Sequence, residues 1–297
     1  MAREQRRDTF LELIGAARQR IILSMFRCTD FKIMDALADA QERGVSVELL
    51  LTQRAKGWEK RIRELGQYLE SMGAKVHRYG EPRIKYHAKY LVIDGSRALI
   101  ASMNLMKRYF EKTSDFLLAT DDPDVAASLE RLFRHDIEHP GQPVPEGLSP
   151  RLVVGPEMSR ARLGGMIESA RKSLVIADHR ITDRDMIVLL EKAEQRGVRV
   201  VIFGKNSLAR FKSHGRAMIV DGARAMIGSI SMAPPCMDLR RELAVTFDAP
   251  GLVAELARFL DESRARHPAE TLMPVAVAVE SGHDDEHDDE DEKESDE

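Results

Sequence analysis

The sequence has 297 residues, 43% of them hydrophobic and 32% charged, with a formal net charge of −4, which excludes disorder of the chain as a whole and leaves residues enough for two ordinary domains or one large one. No apolar run reaches the ~20 residues that cross a bilayer, and the opening MAREQRRDTFLEL has no apolar core or cleavage site, so neither a membrane-spanning enzyme nor a secretory signal is expected and the expected address is the cytoplasm. Cys28 and Cys236 have no metal-ligand spacing, which excludes a disulfide scaffold and a zinc ribbon and leaves two reduced, buried thiols.

The net charge conceals an asymmetry. Residues 280–297 hold 12 acidic residues and one lysine, a charge of −11, whereas residues 1–279 hold 44 basic and 37 acidic residues, a charge of +7. The body is therefore suited to partners that bear phosphate. The tail has two readings: a disordered solubilising segment, or a polyanion that occupies the basic cleft in cis.

In chain order, each half of the sequence reads as a helix, an apolar β-rich run (residues 21–25; 174–177), a second helix ending at Arg-Gly-Val, and a further strand (45–51; 198–203). The glycine is a helix C-cap, and strands alternating with helices of this length read as βαβ units. Two adjacent strands follow, 86–93 and 97–101 in the first half, joined at Asp94-Gly95, with Asp221-Gly222 as the second-half equivalent. Asp-Gly between β-rich runs is a strong hairpin signal. Each half closes on a helix (125–138; 251–264).

The halves are copies. Leu13 to Asp30 aligns with Met166 to Asp183 at an offset of 153, and Tyr86 to Asn104 aligns with Ser213 to Ser231 at an offset of 127, so the second copy lacks 26 residues in between. The expected organisation is a first lobe at 1–138, a Pro-rich linker at 139–150, a second lobe at 151–267 and a disordered acidic tail at 268–297. The fold class is α/β: two similar lobes, each a mixed β-sheet flanked by helices, related by a pseudo-twofold.

Both copies carry the same polar pattern inside apolar strands: His87, Lys89 and Asp94 followed by Ser102 and Asn104, and His214, Arg216 and Asp221 followed by Ser229 and Ser231. Residues two apart on a strand share a face, so an imidazole and a cation converge in each copy. A carboxylate follows each histidine by 28 residues, Asp115 and Glu242, and a carboxylate can orient a histidine and stabilise its charged form.

This pattern resembles the phospholipase D superfamily, whose hallmark is H-x-K-x4-D followed by a small-residue segment with Ser and Asn, usually present twice. The resemblance covers residues 13–247 and leaves out the tail. It implies a metal-independent phosphodiesterase acting through a phosphohistidine, with His87, Lys89, Asp94, His214, Arg216 and Asp221 as the catalytic set. His87 is expected to attack phosphorus and His214 to protonate the leaving oxygen. Lys89 and Arg216 would supply positive charge, and Ser102, Asn104, Asp115, Ser229, Ser231 and Glu242 would bind phosphate or orient the histidines. No metal and no cofactor are expected. Arg216 departs from the family's Lys and Ser231 from its usual Asn, which reads as a weakened second copy.

The motifs do not choose the substrate, because family members act on nucleic acids and on phospholipids alike. The positive body and two basic stretches with aromatics, Lys56, Trp58, Lys60, Arg61 and Arg63 in one and Lys107, Arg108, Tyr109, Phe110 and Lys112 in the other, favour nucleic acid as partner, through backbone tracking and base stacking. The expectation is therefore a nuclease. The alternative is a phospholipase D or phosphatidyl-transferase of cardiolipin synthase-like type with anionic phospholipid as substrate, and a further alternative is an inactive phosphate-binding module.

Overall fold

The computed structural model describes residues 3–53, 57–204 and 212–266; Lys56 and the acidic tail lie outside the described residues. The first half runs through α1 (Arg3–Ala16), β1 (Arg20–Met25), α2 (Phe31–Glu42), β2 (Ser46–Thr52), α3 (Glu59–Ser71), β3 (Lys75–Tyr79), β4 (Lys85–Tyr86), β5 (Tyr90–Ile93), β6 (Arg97–Ala101), α4 (Lys107–Glu111), β7 (Thr113–Ser114), β8 (Leu117–Thr120) and α5 (Pro123–Glu138). The second runs through β9 (Leu152–Val154), α6 (Ser159–Ser169), β10 (Ser173–Ala177), α7 (Arg184–Gln195), β11 (Arg199–Phe203), β12 (Lys212–Ser213), β13 (Arg216–Val220), β14 (Arg224–Gly228), α8 (Pro234–Asp238), β15 (Arg240–Arg241), β16 (Leu243–Phe247) and α9 (Pro250–Arg266).

Each half builds a mixed six-stranded sheet, in the orders β3-β2-β1-β5-β6-β8 and β11-β10-β13-β14-β16-β9. The duplication carries through to register. Arg20 pairs with Ser46 and Ser173 with Arg199 in the parallel ladders, and Ile21 pairs with Ile93 and Leu174 with Val220 in the antiparallel ones. The extra residues of the first copy form α3 and β3, which extend its sheet at one edge. The second sheet is extended at its other edge by β9.

Local chemistry explains the repeated elements. Asp30 and Asp183 cap α2 and α7 by accepting from Ile33 N and Met186 N. Gly44 and Gly197 end those helices at φ 84°, a left-handed conformation that glycine adopts without a Cβ penalty. The next N–H, of Val45 or Val198, then closes back onto Ala40 O or Ala193 O. Apolar side chains form one cluster in each lobe and a third that unites both sheets, with Tyr86, Tyr90, Phe133, Ile219, Leu243 and Phe247 among its members. Residues 139–150 are pinned rather than loose: Gly141 N donates to Tyr79 Oη and Ser149 N to Ser128 Oγ, both at 2.8 Å.

The Asp-Gly hairpins form as expected, with both residues of each pair at positive φ: 51° and 68° for Asp94 and Gly95, 54° and 67° for Asp221 and Gly222. The Asp94 carboxylate accepts from the backbone N–H groups of Arg18, Gln19 and Arg20 at 2.8–2.9 Å. Asp221 repeats this with Arg171, Lys172 and Ser173. Each aspartate thus fastens its hairpin to the chain entering the neighbouring strand, which corrects their assignment to the catalytic set. Seven residues of extended chain put the carboxylates roughly 20 Å from the histidines. Asp94→Ala or Asp221→Ala should lower unfolding free energy by about 2 kcal/mol while kcat of the folded enzyme stays within about twofold, measured by denaturant titration beside turnover.

Candidate active site

Two very short parallel ladders join the lobes and build the site. β4 pairs with β15, Tyr86 opposite Arg241, and β7 pairs with β12, Ser114 opposite Ser213. Each ladder runs the strand that precedes a motif histidine alongside the strand that precedes the other lobe's carboxylate. Beyond them His87 N donates to Arg241 O at 2.9 Å and Gly215 N to Ser114 O at 2.8 Å. The strand expected over residues 86–93 is accordingly divided into β4 and β5, because Tyr86 leaves the large sheet to pair across the interface.

The carboxylate therefore orients the histidine of the opposite copy. His87 Nδ1 lies 2.8 Å from Glu242 Oε2, and His214 Nδ1 lies 2.8 Å from Asp115 Oδ1. Equal spacing within each repeat made Asp115 and Glu242 recognisable, and the crossing arises only from the way the lobes dock. Both carboxylates are fully buried. Burial alone pushes Glu242 up, but contact with His87 and the charges of Lys89 and Arg240 outweigh it and hold the carboxyl at about 2. Asp115 is likewise pushed up by burial and pulled down further by His214, Thr113 and Arg6, so it too is ionised. Burial lowers His87 to about 3 despite the opposing pull of Glu242. His87 is thus a neutral imidazole whose Nδ1–H donates to an ionised carboxylate, leaving Nε2 with its lone pair.

Lys89 and Arg216 take matching places. Lys89 Nζ donates to His87 O at 2.8 Å, and Arg216 Nη1 donates to His214 O. Burial drags the Lys89 ammonium down to about 7, the charge of Glu242 opposing and that of Arg216 adding to the fall. The charge of Arg216 is felt at Lys89, so two cationic side chains flank the histidines where an anion would be stabilised.

The hydroxyls expected to bind phosphate or orient the histidines support this frame. Ser102 Oγ donates to Asp115 Oδ1 at 2.7 Å and accepts from Phe116 N at 2.9 Å. Ser229 Oγ is tied to the backbone of Leu243, and Ser231 Oγ to Asp178. Asn104 is buried behind the motif. Reading spacing alone missed Thr113, whose hydroxyl donates to Asp115 Oδ2, and Phe26, whose ring centroid lies 4.9 Å from His87; Tyr109, expected on a substrate surface, instead has its ring centroid 4.6 Å from His214.

The basic residues Lys60, Arg61, Arg63, Lys107 and Lys112 of the expected nucleic-acid surface are exposed, but its aromatic rings are buried. Trp58 is 4% exposed, with the guanidinium groups of Arg27 and Arg61 at 4.6 and 4.7 Å from its ring centroid, so no face is left for a base. Tyr109 and Phe110 are buried in the first lobe's core. Lys60 is exposed and paired with Glu64, Lys107 is exposed, and Arg108 lies over Tyr109; Lys56 is outside the described residues.

A family profile described as cardiolipin synthase, PLD-like domain, matches residues 10–137, which contain His87, Lys89, Asn104 and Asp115. Residues 10–137 thus carry a phospholipase D-like domain, and the second half repeats its motif. Cardiolipin synthase A of Pseudomonas aeruginosa is 31% identical over 140 residues, 46% of this chain and 28% of that protein, so the match spans less than a third of the relative's length. Phosphatidylserine synthase of Haemophilus influenzae superposes on 91% of this chain and 88% of its own with a TM-score of 0.72 at 13% identity. Polyphosphate kinase of Porphyromonas gingivalis covers 91% of this chain and 49% of its own, with a TM-score of 0.70 at 19% identity. At these identities the two structures speak to the fold, in which both lobes take part.

One glycine is demanded by the crossing. A Cβ on Gly215 would stand 3.0 Å from Asp115 Cα and 2.8 Å from Ser102 Oγ, where the first copy accommodates Ala88. Gly215→Ala should push His214 off Asp115 and lower turnover at least tenfold, with His87 chemistry affected less; a variant with unchanged turnover would show that the close approach is dispensable.

Proposed function

We propose that the protein is a phosphatidyl transferase of cardiolipin synthase type, working by two displacements at phosphorus. The observation that carries this reading is the match of residues 10–137, the half that holds the intact motif, to a cardiolipin synthase family profile. The relatives favour the phospholipid alternative over the nuclease reading, which lost its stacking platform when Trp58 proved buried. Among the described residues no helix is long and apolar enough to cross a membrane.

In the proposed sequence His87 Nε2 attacks phosphorus and forms a P–N bond as the P–O bond to the departing alcohol breaks. His214 gives its proton to that oxygen, and its ring is held for the task by Asp115. An incoming alcohol then loses its proton to His214 and attacks phosphorus, and the P–N bond breaks to return His87. Lys89 and Arg216 stabilise the charge on the non-bridging oxygens throughout.

Nucleophile and acid are assigned from the load on each carboxylate. Asp115 shares its charge among His214, Ser102 and Thr113. Glu242 Oε1 has no hydrogen-bond partner among the described residues, so Glu242 directs its charge at His87. The less encumbered carboxylate holds His87 as a neutral imidazole with its Nε2 lone pair free, which suits it to attack.

Purified protein in excess EDTA, offered phosphatidylglycerol vesicles with labelled glycerol as acceptor and labelled single-stranded DNA in parallel, should exchange the glycerol and leave the DNA intact. DNA cleavage without lipid turnover would overturn the reading. His214→Asn should lose about 10²- to 10⁴-fold on the lipid yet still form a phosphoenzyme from a p-nitrophenyl phosphodiester, whose leaving group needs no proton; His87→Asn should form none from either.

The pH response follows from burial. Because His87 is pushed down to about 3, its Nε2 stays unprotonated as pH falls from 8 to well below its ordinary 6.5. Phosphoenzyme formation from the p-nitrophenyl ester should therefore rise as pH falls through about 7, where Lys89 gains its proton, and show no acid limb from there down to about 4.5. Rapid-quench trapping that shows an acid limb centred near 6.5 would contradict the neutral, buried nucleophile.

A further inference from the structure

The halves differ together at four positions around the second motif. At the offsets of 153 and 127, Met25, Phe26, Lys89 and Asn104 of the first copy correspond to Asp178, His179, Arg216 and Ser231 of the second. Had the second copy simply decayed, the changes would be unrelated. The structure shows them in one another's company.

Arg216 has five N–H donors in a rigid fork. Nη1 donates to His214 O, Nη2 lies 3.5 Å from His179 Nε2, and Nε lies 3.9 Å from Asp178 Oδ1. Among the described residues Nε has no hydrogen-bond partner and one N–H on each Nη is left over, which suits a planar, two-point grip on a phosphoryl group. Asp178 is itself held firmly: Met232 N donates at 2.8 Å, Arg180 N at 3.0 Å and Ser231 Oγ at 2.8 Å. In the first copy the matching place is taken by Met25, fully buried in an apolar core. Asn104 Oδ1 there has no hydrogen-bond partner among the described residues.

Size and charge are compensated in the same exchange. Arg is bulkier than Lys and Ser is smaller than Asn, so the two exchanges change volume in opposite senses. A permanently charged guanidinium in a 6% exposed site needs a counter-charge more than a lysine that can shed its proton. Asp178 supplies it, and the Ser231 hydroxyl gives that carboxylate a donor where an apolar environment would leave it stranded.

We propose that Asp178 is a positioning residue that, together with Ser231, aims the Arg216 guanidinium at the substrate phosphoryl group, making the second half-site a rebuilt anion cradle rather than an eroded copy. This rests on the phosphodiester reading of the site. It replaces the expectation of a weakened second copy.

The test is titration calorimetry of inorganic orthovanadate, a phosphate mimic, against the full-length wild type, Arg216→Lys, Asp178→Asn, their double variant, and the triple variant Asp178→Met, Arg216→Lys, Ser231→Asn, with thermal midpoints recorded alongside. Arg216→Lys and the near-isosteric Asp178→Asn should each weaken binding about tenfold or more, and the double variant should bind no worse than the weaker single, since both remove one coupled unit. The triple variant, which recreates the first copy's arrangement, should recover to within about threefold of wild type. Binding by Arg216→Lys equal to wild type, losses that multiply in the double variant, or a folded triple variant that recovers nothing would overturn the positioning role of Asp178. A wild type that binds no vanadate would instead contradict the anion-binding reading of the whole site, and this inference with it.

Discussion

The structure depends on two hydrogen bonds that cross between copies: His87 to Glu242 and His214 to Asp115, each 2.8 Å long and each buried. Neither lobe can orient its own histidine. An ionised carboxylate enclosed by protein needs its partner in place, so docking of the lobes and assembly of the site are one event. The two-residue ladders β4·β15 and β7·β12 are the smallest backbone device that could set this register.

Immediately beside Glu242, Arg241 serves as the strut that keeps the ladders aligned. It is fully buried, lies 3.1 Å from Asp136 on α5 of the first lobe, donates to Glu157 and Gly155 O of the second, and donates to Gln142 O in the connecting segment. Burial pushes Asp136 up to about 7 although Arg241 pulls the other way. A buried pair of this kind adds little net stability, since desolvation offsets the attraction. It does penalise any docking in which either charge loses its partner. Wrong registers between the lobes are thereby disfavoured, and the two histidines remain within one site.

Much of this was legible in the sequence, and the parts that were not have physical reasons. The duplication, the glycine caps that end α2 and α7 and the hairpins at Asp94 and Asp221 are local or repeated features, so spacing alone reveals them. Asp115 and Glu242 could be found by equal spacing, but equal spacing hides a swap, because each carboxylate lies at the same distance from its own histidine in sequence whichever histidine it serves in space. Trp58 looked like a stacking platform because basic residues surround it in sequence. In the folded chain Arg27, far off along the chain, covers one face and Arg61 contacts the ring as well. Asp178 carried no motif, and only its partnership with Ser231 and Arg216 explains why the second copy departs from the first.

Asp115→Asn tests the crossing most directly, through phosphoenzyme formation compared between a p-nitrophenyl phosphodiester and a substrate with a poor alkoxide leaving group. Asp115 sits in the same half as His87 but holds His214. The account predicts that the variant behaves as a damaged acid: near wild type with the p-nitrophenyl ester and slower by about a hundredfold or more with the alkyl ester. A loss of equal size with both substrates, the signature of a damaged nucleophile, would contradict it.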